Sequence, residues 1–210
     1  MGNISTDLLS CSTQSTEAFR QVMRGCASSV AIVASAENGV PAGIVATAVM
    51  SVAMEPPSLM VAINRLSSCH AVFVRRLAFT VNFLSGKQAD YASVFHRSSV
   101  EDRFSTGGWI FSDGDDTQIP GLPLLTGAQA SVSCWADQVI EAHTHTLFLG
   151  RVAGVKLGSE VDPLLYCEGQ YGRFNSLQSI GRTAQHEVAP EIDEWIDHFS
   201  ARQQLSCRRL

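Results

Sequence analysis

The sequence predicts a mainly β fold curled into a barrel, with helices at its periphery, and three observations carry that expectation. Asn38-Gly39 follows Glu37 between two apolar runs, a strong short-range signal of a β-hairpin. The run from Gly43 to Val52 consists almost wholly of β-branched and small residues, and Glu55-Pro56-Pro57 closes it, where two prolines withhold ladder donors and force the chain out. Two later strands, expected over 130–140 and 144–155, exceed the usual strand length, which suits a curved barrel better than a flat sheet.

The elements follow in order. Residues 1–15 are rich in Ser and Thr and lack periodicity, so they read as an arm outside the fold. Ser15 and Thr16 are placed to cap a helix in which Phe19, Val22, Met23 and Cys26 recur at helical spacing, with Gly25 near its end. A strand over 30–34 turns at Asn38-Gly39 into the run from Gly43 to Val52, read as one strand, and 58–63 is the third strand, ending at Asn64-Arg65. Ser67 and Ser68 stand as caps for a short helix from His70 to Arg76, whose N-terminus is a potential anion site. A strand over 79–84 precedes a helix from Lys87 to Phe95. The Gly- and Asp-rich stretch from Ser98 to Gly121 reads as a long loop of the kind that covers a site. After the two long strands come a segment over 163–166 and a last one near Tyr171. The tail is amphipathic, with Ile192, Trp195, Ile196 and Phe199 at helical spacing.

The 210 residues, 45% of them hydrophobic, suffice for one domain with a full core. No internal repeat or linker supports a second. The expected division is an arm over 1–15, a barrel over 16–176 and an extension over 177–210. A formal net charge of −5 argues against a nucleic-acid partner, which normally meets a basic face. No apolar stretch reaches the roughly 20 residues that span a bilayer, and the opening residues are not signal-like, so a cytoplasmic protein away from membranes is expected.

Six cysteines, Cys11, Cys26, Cys69, Cys134, Cys167 and Cys207, show no paired spacing, which excludes a zinc motif or a disulfide scaffold and points to buried thiols acting as small hydrophobes. Cys69, near a helix start, is the alternative reactive thiol. His143 and His145 form an H-x-H pair whose side chains would share one face of a strand and could share a metal, but no third ligand follows at a suitable distance. The run through Ala46, Thr47, Ala48, Val49, Met50 and Ser51 offers hydroxyls and small side chains where a planar ligand could approach the backbone.

The residues then add up to a resemblance. Phe19-Arg20-Gln21-Val22-Met23-Arg24, Pro41-Ala42-Gly43, Ser51-Val52 with Glu55-Pro56-Pro57, Asn64-Arg65 with Ser67-Ser68 and His70, Val81-Asn82-Phe83-Leu84, Asp102-Arg103-Phe104, and His145-Thr146-Leu147-Phe148-Leu149-Gly150 occur in an order and at a spacing that resemble the flavin reductase family, the reductase components of two-component flavin monooxygenases. The resemblance covers about residues 17–174.

It implies a split β-barrel of the FMN-binding, Greek-key type that binds FMN or FAD and reduces it with NADH or NADPH, as a homodimer with the flavin near the subunit interface. It also implies a partner oxygenase that receives the reduced flavin. The flavin contacts would come from Ala46 to Ser51, Asn64, Ser67, Ser68, His70, Phe83, Leu84, Arg103 and Tyr171. His145 would orient or stack on the nicotinamide, its alternative being a strand histidine satisfied by a carbonyl. Tyr171 and Trp109 are candidate pocket walls or packing residues. The family pattern Ser-Ser-Phe-Thr-Ser is here Thr47-Ala48-Val49-Met50-Ser51, so two hydroxyls and an aromatic are replaced. Two other readings stay open: a non-catalytic flavin-binding module on the same barrel, and a reductase of another acceptor such as a corrinoid.

Overall fold

The Asn38-Gly39 pair turns the chain as its residue types require. Both residues take positive φ, 52° and 78°, and join β2 (Ala31–Glu37) to β3 (Val40–Ala46), after a two-residue β1 (Ser28–Ser29). This geometry comes from a computed structural model that describes residues 13–97, 102–105, 107–113 and 119–175. The expected C-terminal extension and its amphipathic helix lie outside the described residues, as does most of the N-terminal arm. The helix α1 spans Thr13–Gly25, so Ser15 and Thr16 lie within it rather than before it.

The run from Gly43 to Val52 is two strands, not one. β3 ends at Ala46, Thr47-Ala48 form a bend, and β4 runs from Val49 to Met54. The prolines act as expected: Glu55-Pro56 make the turn and β5 (Pro57–Asn64) returns antiparallel to β4. Next come α2 (His70–Arg76) and β6 (Ala78–Phe83), then a 3₁₀ turn at Gly86–Gln88 leading into α3 (Ala89–Arg97). The expected loop after α3 contains a short strand, β7 (Trp109–Phe111), paired with β8 (Pro123–Leu125). Three residues are too few to show alternation, so nothing in the sequence marked it. The long strands are β9 (Ala130–Ala142) and β10 (His145–Leu157), and the chain closes with the hairpin β11 (Leu164–Cys167) and β12 (Gln170–Arg173).

Seven antiparallel strands form one sheet in the order β3-β2-β6-β9-β10-β5-β4. Its two edge strands, β3 and β4, are consecutive in the chain and joined by only Thr47 and Ala48. A two-residue connection between opposite edges forces the sheet to curl until those edges meet, and the Ala62 amide, donating to the Ala48 carbonyl at 3.1 Å, pins the junction. The barrel is thus closed at the bend and split along β3.

The interior is apolar. Val33, Val61, Ile63, Phe73, Phe79, Val81 and Phe148 are fully buried there, with the Phe73, Phe79 and Phe148 rings 5.9–6.4 Å apart. Each such side chain contributes about 1.5–3 kcal/mol. A second apolar layer lies outside β2, where Val30, Ile32, Ala34 and Leu84 pack with Ala92 and Phe95 of α3. The rings of Phe95, Phe104 and Trp109 cluster at its margin, which makes Trp109 a packing residue. On α1, Phe19, Val22 and Met23 are exposed.

Candidate active site at the Thr47 bend

The bend that closes the barrel is also where two clefts meet. One, of about 650 Å³, is lined by Thr47, Val49, Met50, Ser51 and Met54 on one wall and by Ser28, Ser29, Phe83, Val132 and Val152 on others. The other, of about 490 Å³, is lined by Val30, Val45, Thr47, Ser93, His96, Tyr166, Gly169 and Tyr171. Thr47 belongs to both because it ends a strand whose alternation has just been broken. Ala46, one residue earlier, turns toward the barrel interior. Val49, Met50, Met54, Phe83, Val132 and Val152 make the larger cleft predominantly apolar, a surface suited to a flat ring.

Polar groups gather at the neighbouring strand ends. Asn64, the last residue of β5, stands opposite His145, the first of β10. The Asn64 side-chain oxygen accepts from the Leu66 amide at 2.9 Å and its carbonyl accepts from the Ser67 amide at 2.9 Å, so the loop after β5 is tightly wound. That winding displaces the expected cap. Cys69, not Ser67 or Ser68, is the N-cap of α2; it makes no side-chain cap, and Ser67 Oγ instead contacts Cys69 Sγ at 3.1 Å. Ser68 is exposed. With seven residues, α2 is too short to present the anion site expected of its N-terminus. His70 shares a hydrogen bond with Thr146 through Nε2 at 2.8 Å, tying α2 to β10 beside His145.

Arg103 reaches this region from the loop after α3. Its Nη1 donates to the Gly43 carbonyl on the edge strand β3 at 3.0 Å, while its Nε is buried without an acceptor among the described residues. A buried N–H lacking a partner is costly, and a bound molecule rich in oxygen acceptors would satisfy it. Gly43 admits no side chain, since a Cβ there would lie 2.9 Å from the Val33 carbonyl and 3.1 Å from the Phe104 ring.

His145 is half-buried, and its Nδ1 shares a hydrogen bond with Thr144 Oγ1 at 2.9 Å, which orients the ring. His143 is not on the same strand: it occupies the β9–β10 turn at φ 54°, so the H-x-H pair does not share a strand face. Among the described residues no cluster of three metal-ligating side chains exists. Burial pushes the Cys69 thiol up, with Ser67 and the Arg103 charge pulling weakly the other way, so Cys69 is an inert core thiol rather than a nucleophile. Cys26, expected to be buried, is exposed at the end of α1.

The structure thus brings Thr47, Val49, Met50, Ser51 and Phe83 to one cleft and Thr47 and Tyr171 to the other. Leu84 faces neither; it is fully buried beneath α3 and supports the fold. Burial and the neighbouring Tyr166 raise the Tyr171 phenol, which therefore stays a hydrogen-bond donor at neutral pH. Sequence reasoning missed Ser93, His96 and Tyr166. Ser93 and His96 lie three apart on α3, the spacing that puts two side chains on one helix face, and that was the available signal.

Comparisons with known proteins bear on what such a bend binds. A relative from Pseudomonas syringae, an FMN reductase (NADH) called RutF, is 32% identical over 160 residues, which cover 76% of this chain and 86% of that protein. The reductase component of an FADH(2)-dependent resorcinol hydroxylase from Rhizobium is 33% identical over 156 residues, covering 73% of this chain and 84% of that protein. Among solved structures, the NADH:FAD oxidoreductase of Streptomyces globisporus, in complex with NAD and FAD fragments, superposes with a TM-score of 0.70 at 25% identity, covering 78% of this chain and 95% of that one. Residues 23–175 match the family model described as a flavin reductase like domain, a span that contains the bend, both clefts and the Arg103 loop. On that match the chain belongs to the flavin reductase family.

Proposed function

We propose that this protein is an NAD(P)H-dependent flavin reductase that supplies reduced FMN or FAD to a partner monooxygenase, and that the Thr47 bend is its flavin site. The observation that carries the reading is the junction itself: an apolar cleft and a second cleft with polar walls meet at Thr47. The residues fit a flavin. Val49, Met50, Phe83 and Val132 offer an apolar slot for the ring system, and the Thr47 and Ser51 hydroxyls offer polar contacts for its edge. Arg103, Asn64 and Ser67 supply donors for the oxygen-rich ribityl and phosphate portions.

A bound flavin would supply the hydride-accepting chemistry, which leaves the protein little acid–base work to do. Its task is positioning. His145, oriented by Thr144, holds the nicotinamide nucleotide, and the hydrogen bond between His70 and Thr146 fixes the strand that carries it. Tyr171 and Tyr166, with ring centroids 5.5 Å apart, form a wall of the second cleft for the nucleotide portion of one substrate. The chain acts as a homodimer, supported by the apolar strand β4, whose Met50, Val52 and Met54 are exposed.

Mixing the purified protein with NADH and either FMN or FAD, and following loss of nicotinamide absorbance, tests the reading. Flavin-dependent consumption is expected. Absence of consumption with both flavins and both nicotinamide donors would sink it.

A further inference from the structure

Two cysteines outside the flavin contacts sit side by side where the walls of both clefts are joined. Cys26 follows α1 and is exposed, and Cys167 ends β11 and is partly exposed; both are free thiols. Cys167 Sγ lies 3.4 Å from the carbonyl oxygen of Gly25, one peptide bond from Cys26. The ladder between β1 and β11 pairs Ser28 with Tyr166 and Ser29 with Leu165, and beyond its end it is the close of α1 at Gly25 that brings Cys26 near Cys167. The Glu168 amide, donating to the Arg24 carbonyl at 2.8 Å, holds the two segments together past the end of the ladder. Because the Gly25 carbonyl oxygen and the Cys26 Cα belong to one planar peptide, Cys167 Sγ lies within about 6–7 Å of the Cys26 Cα. Cys26 Sγ contacts the Val22 carbonyl at 3.5 Å, and rotation about its χ1 frees it.

We propose that Cys26 and Cys167 are a peroxide-sensitive thiol pair, oxidised by hydrogen peroxide to a reversible disulfide that locks the two cleft walls together. The position gives the bond a consequence. Ala27, Ser28 and Ser29 line the larger cleft, and Tyr166, Gly169 and Tyr171 line the smaller, so a bond between residues 26 and 167 fixes both walls on either side of Thr47. The thiolate of one cysteine attacks the peroxide O–O bond, giving a sulfenic acid and hydroxide. The second thiol then attacks that sulfur and expels water. Two thiols are oxidised by two electrons in total, and one hydrogen peroxide becomes two waters.

The peroxide source rests on the proposed reductase reading: reduced flavin that meets dioxygen instead of an oxygenase returns to oxidised flavin and yields hydrogen peroxide. The pair would then slow a reductase whose product is not being consumed. Cys69 and Cys134 stay out of this chemistry because both are fully buried, and burial pushes the Cys134 thiol up to about 12.

The test uses the full chain carrying Cys11→Ser and Cys207→Ser. It is exposed to hydrogen peroxide, alkylated, digested without reductant and mapped by mass spectrometry. A peptide linking Cys26 to Cys167 is expected, cleaved by dithiothreitol and absent in a Cys167→Ser variant. The oxidised protein should also show a flavin KM changed by about threefold or more, with the Cys167→Ser variant unaffected. Recovery of Cys26 and Cys167 as separate alkylated thiols or sulfinic acids would overturn the pairing, and a crosslink that leaves the flavin KM unchanged would overturn the coupling to the clefts. Because thiol mapping needs no turnover, failure of the reductase reading would show separately, as no nicotinamide consumption by the fully reduced protein.

Discussion

At the scale of single residues, the roles proposed for His145 and Arg103 fall to different ligands, and that division is measurable. His145 is half-buried and its ring bonds to the exposed Thr144, so His145→Ala is expected to remove a ligand contact at little cost to the core. The expected result is a KM for NADH raised by about tenfold with flavin affinity unchanged, read from steady-state kinetics beside a flavin titration. Loss of flavin binding in this variant would show that the histidine belongs to the wrong subsite. Arg103 makes the opposite prediction. A hydrogen bond from a charged donor is worth about 1.5–3 kcal/mol, so Arg103→Ala should weaken flavin binding by about ten- to a hundredfold, measured by fluorescence quenching. The same variant also loses the bond to the Gly43 carbonyl, so a thermal melt must accompany the titration. A folded variant with unchanged flavin affinity would remove Arg103 from the site.

At the scale of elements, the long pair β9–β10 shows how a barrel wall is bent. Its register shifts between Leu149 and Gly150 and again between Val152 and Gly154, so an extra residue curves one strand against the other. Gly150 permits the closest approach at this bend: a Cβ there would lie 2.7 Å from the Phe79 ring and 2.8 Å from the Cys134 Cβ. Neither neighbour can retreat, since both are fully buried. Gly150→Ala should therefore destabilise the fold by about 1–3 kcal/mol, seen as a lower denaturant midpoint with an unchanged slope. An unaltered midpoint would mean that the core at Phe79 is looser than its packing indicates. Elements of this kind were legible when their signal was local. The Asn38-Gly39 turn, the Pro56-Pro57 exit and the helix His70–Arg76 each carry a residue type that performs its own task. The break at Thr47-Ala48 was not legible, because no glycine or proline marks it; it arises from closure of the sheet, which is a tertiary event. The capping error at Ser67 and Ser68 has the same origin, since both are candidate caps by type and the Asn64 turn, made by a side chain three or four residues away, decides against them.

At the scale of the whole molecule, the site is legible only through the fold. Thr47, Phe83 and Tyr171 are remote in sequence, and it is the curl of the large sheet together with the small β1-β11-β12 sheet packed at the bend that brings them to the two clefts. A family resemblance could name them in advance because it carries that fold with it, whereas periodicity alone could not. The same curl leaves β4 as an outer strand with one side unpaired, and its Met50, Val52 and Met54 are 55%, 49% and 77% exposed. An exposed apolar edge of this kind is a liability unless something covers it, and a second copy is the cover proposed above. Val52 separates interface from ligand contact. It sits at the register shift between Ser51 and Ala53, and it is not among the residues lining the larger cleft, whereas its neighbours Ser51 and Ala53 are. A charge at this position therefore disturbs a partner without touching the flavin directly. Val52→Glu is expected to convert a dimer to a monomer in sedimentation equilibrium. If the partner helps to cover the flavin cleft, the variant should also weaken flavin binding by about tenfold while keeping its circular dichroism spectrum. A wild-type protein that sediments as a monomer would remove the dimer. A monomeric variant with full flavin affinity would instead show that each chain completes its own site at Thr47.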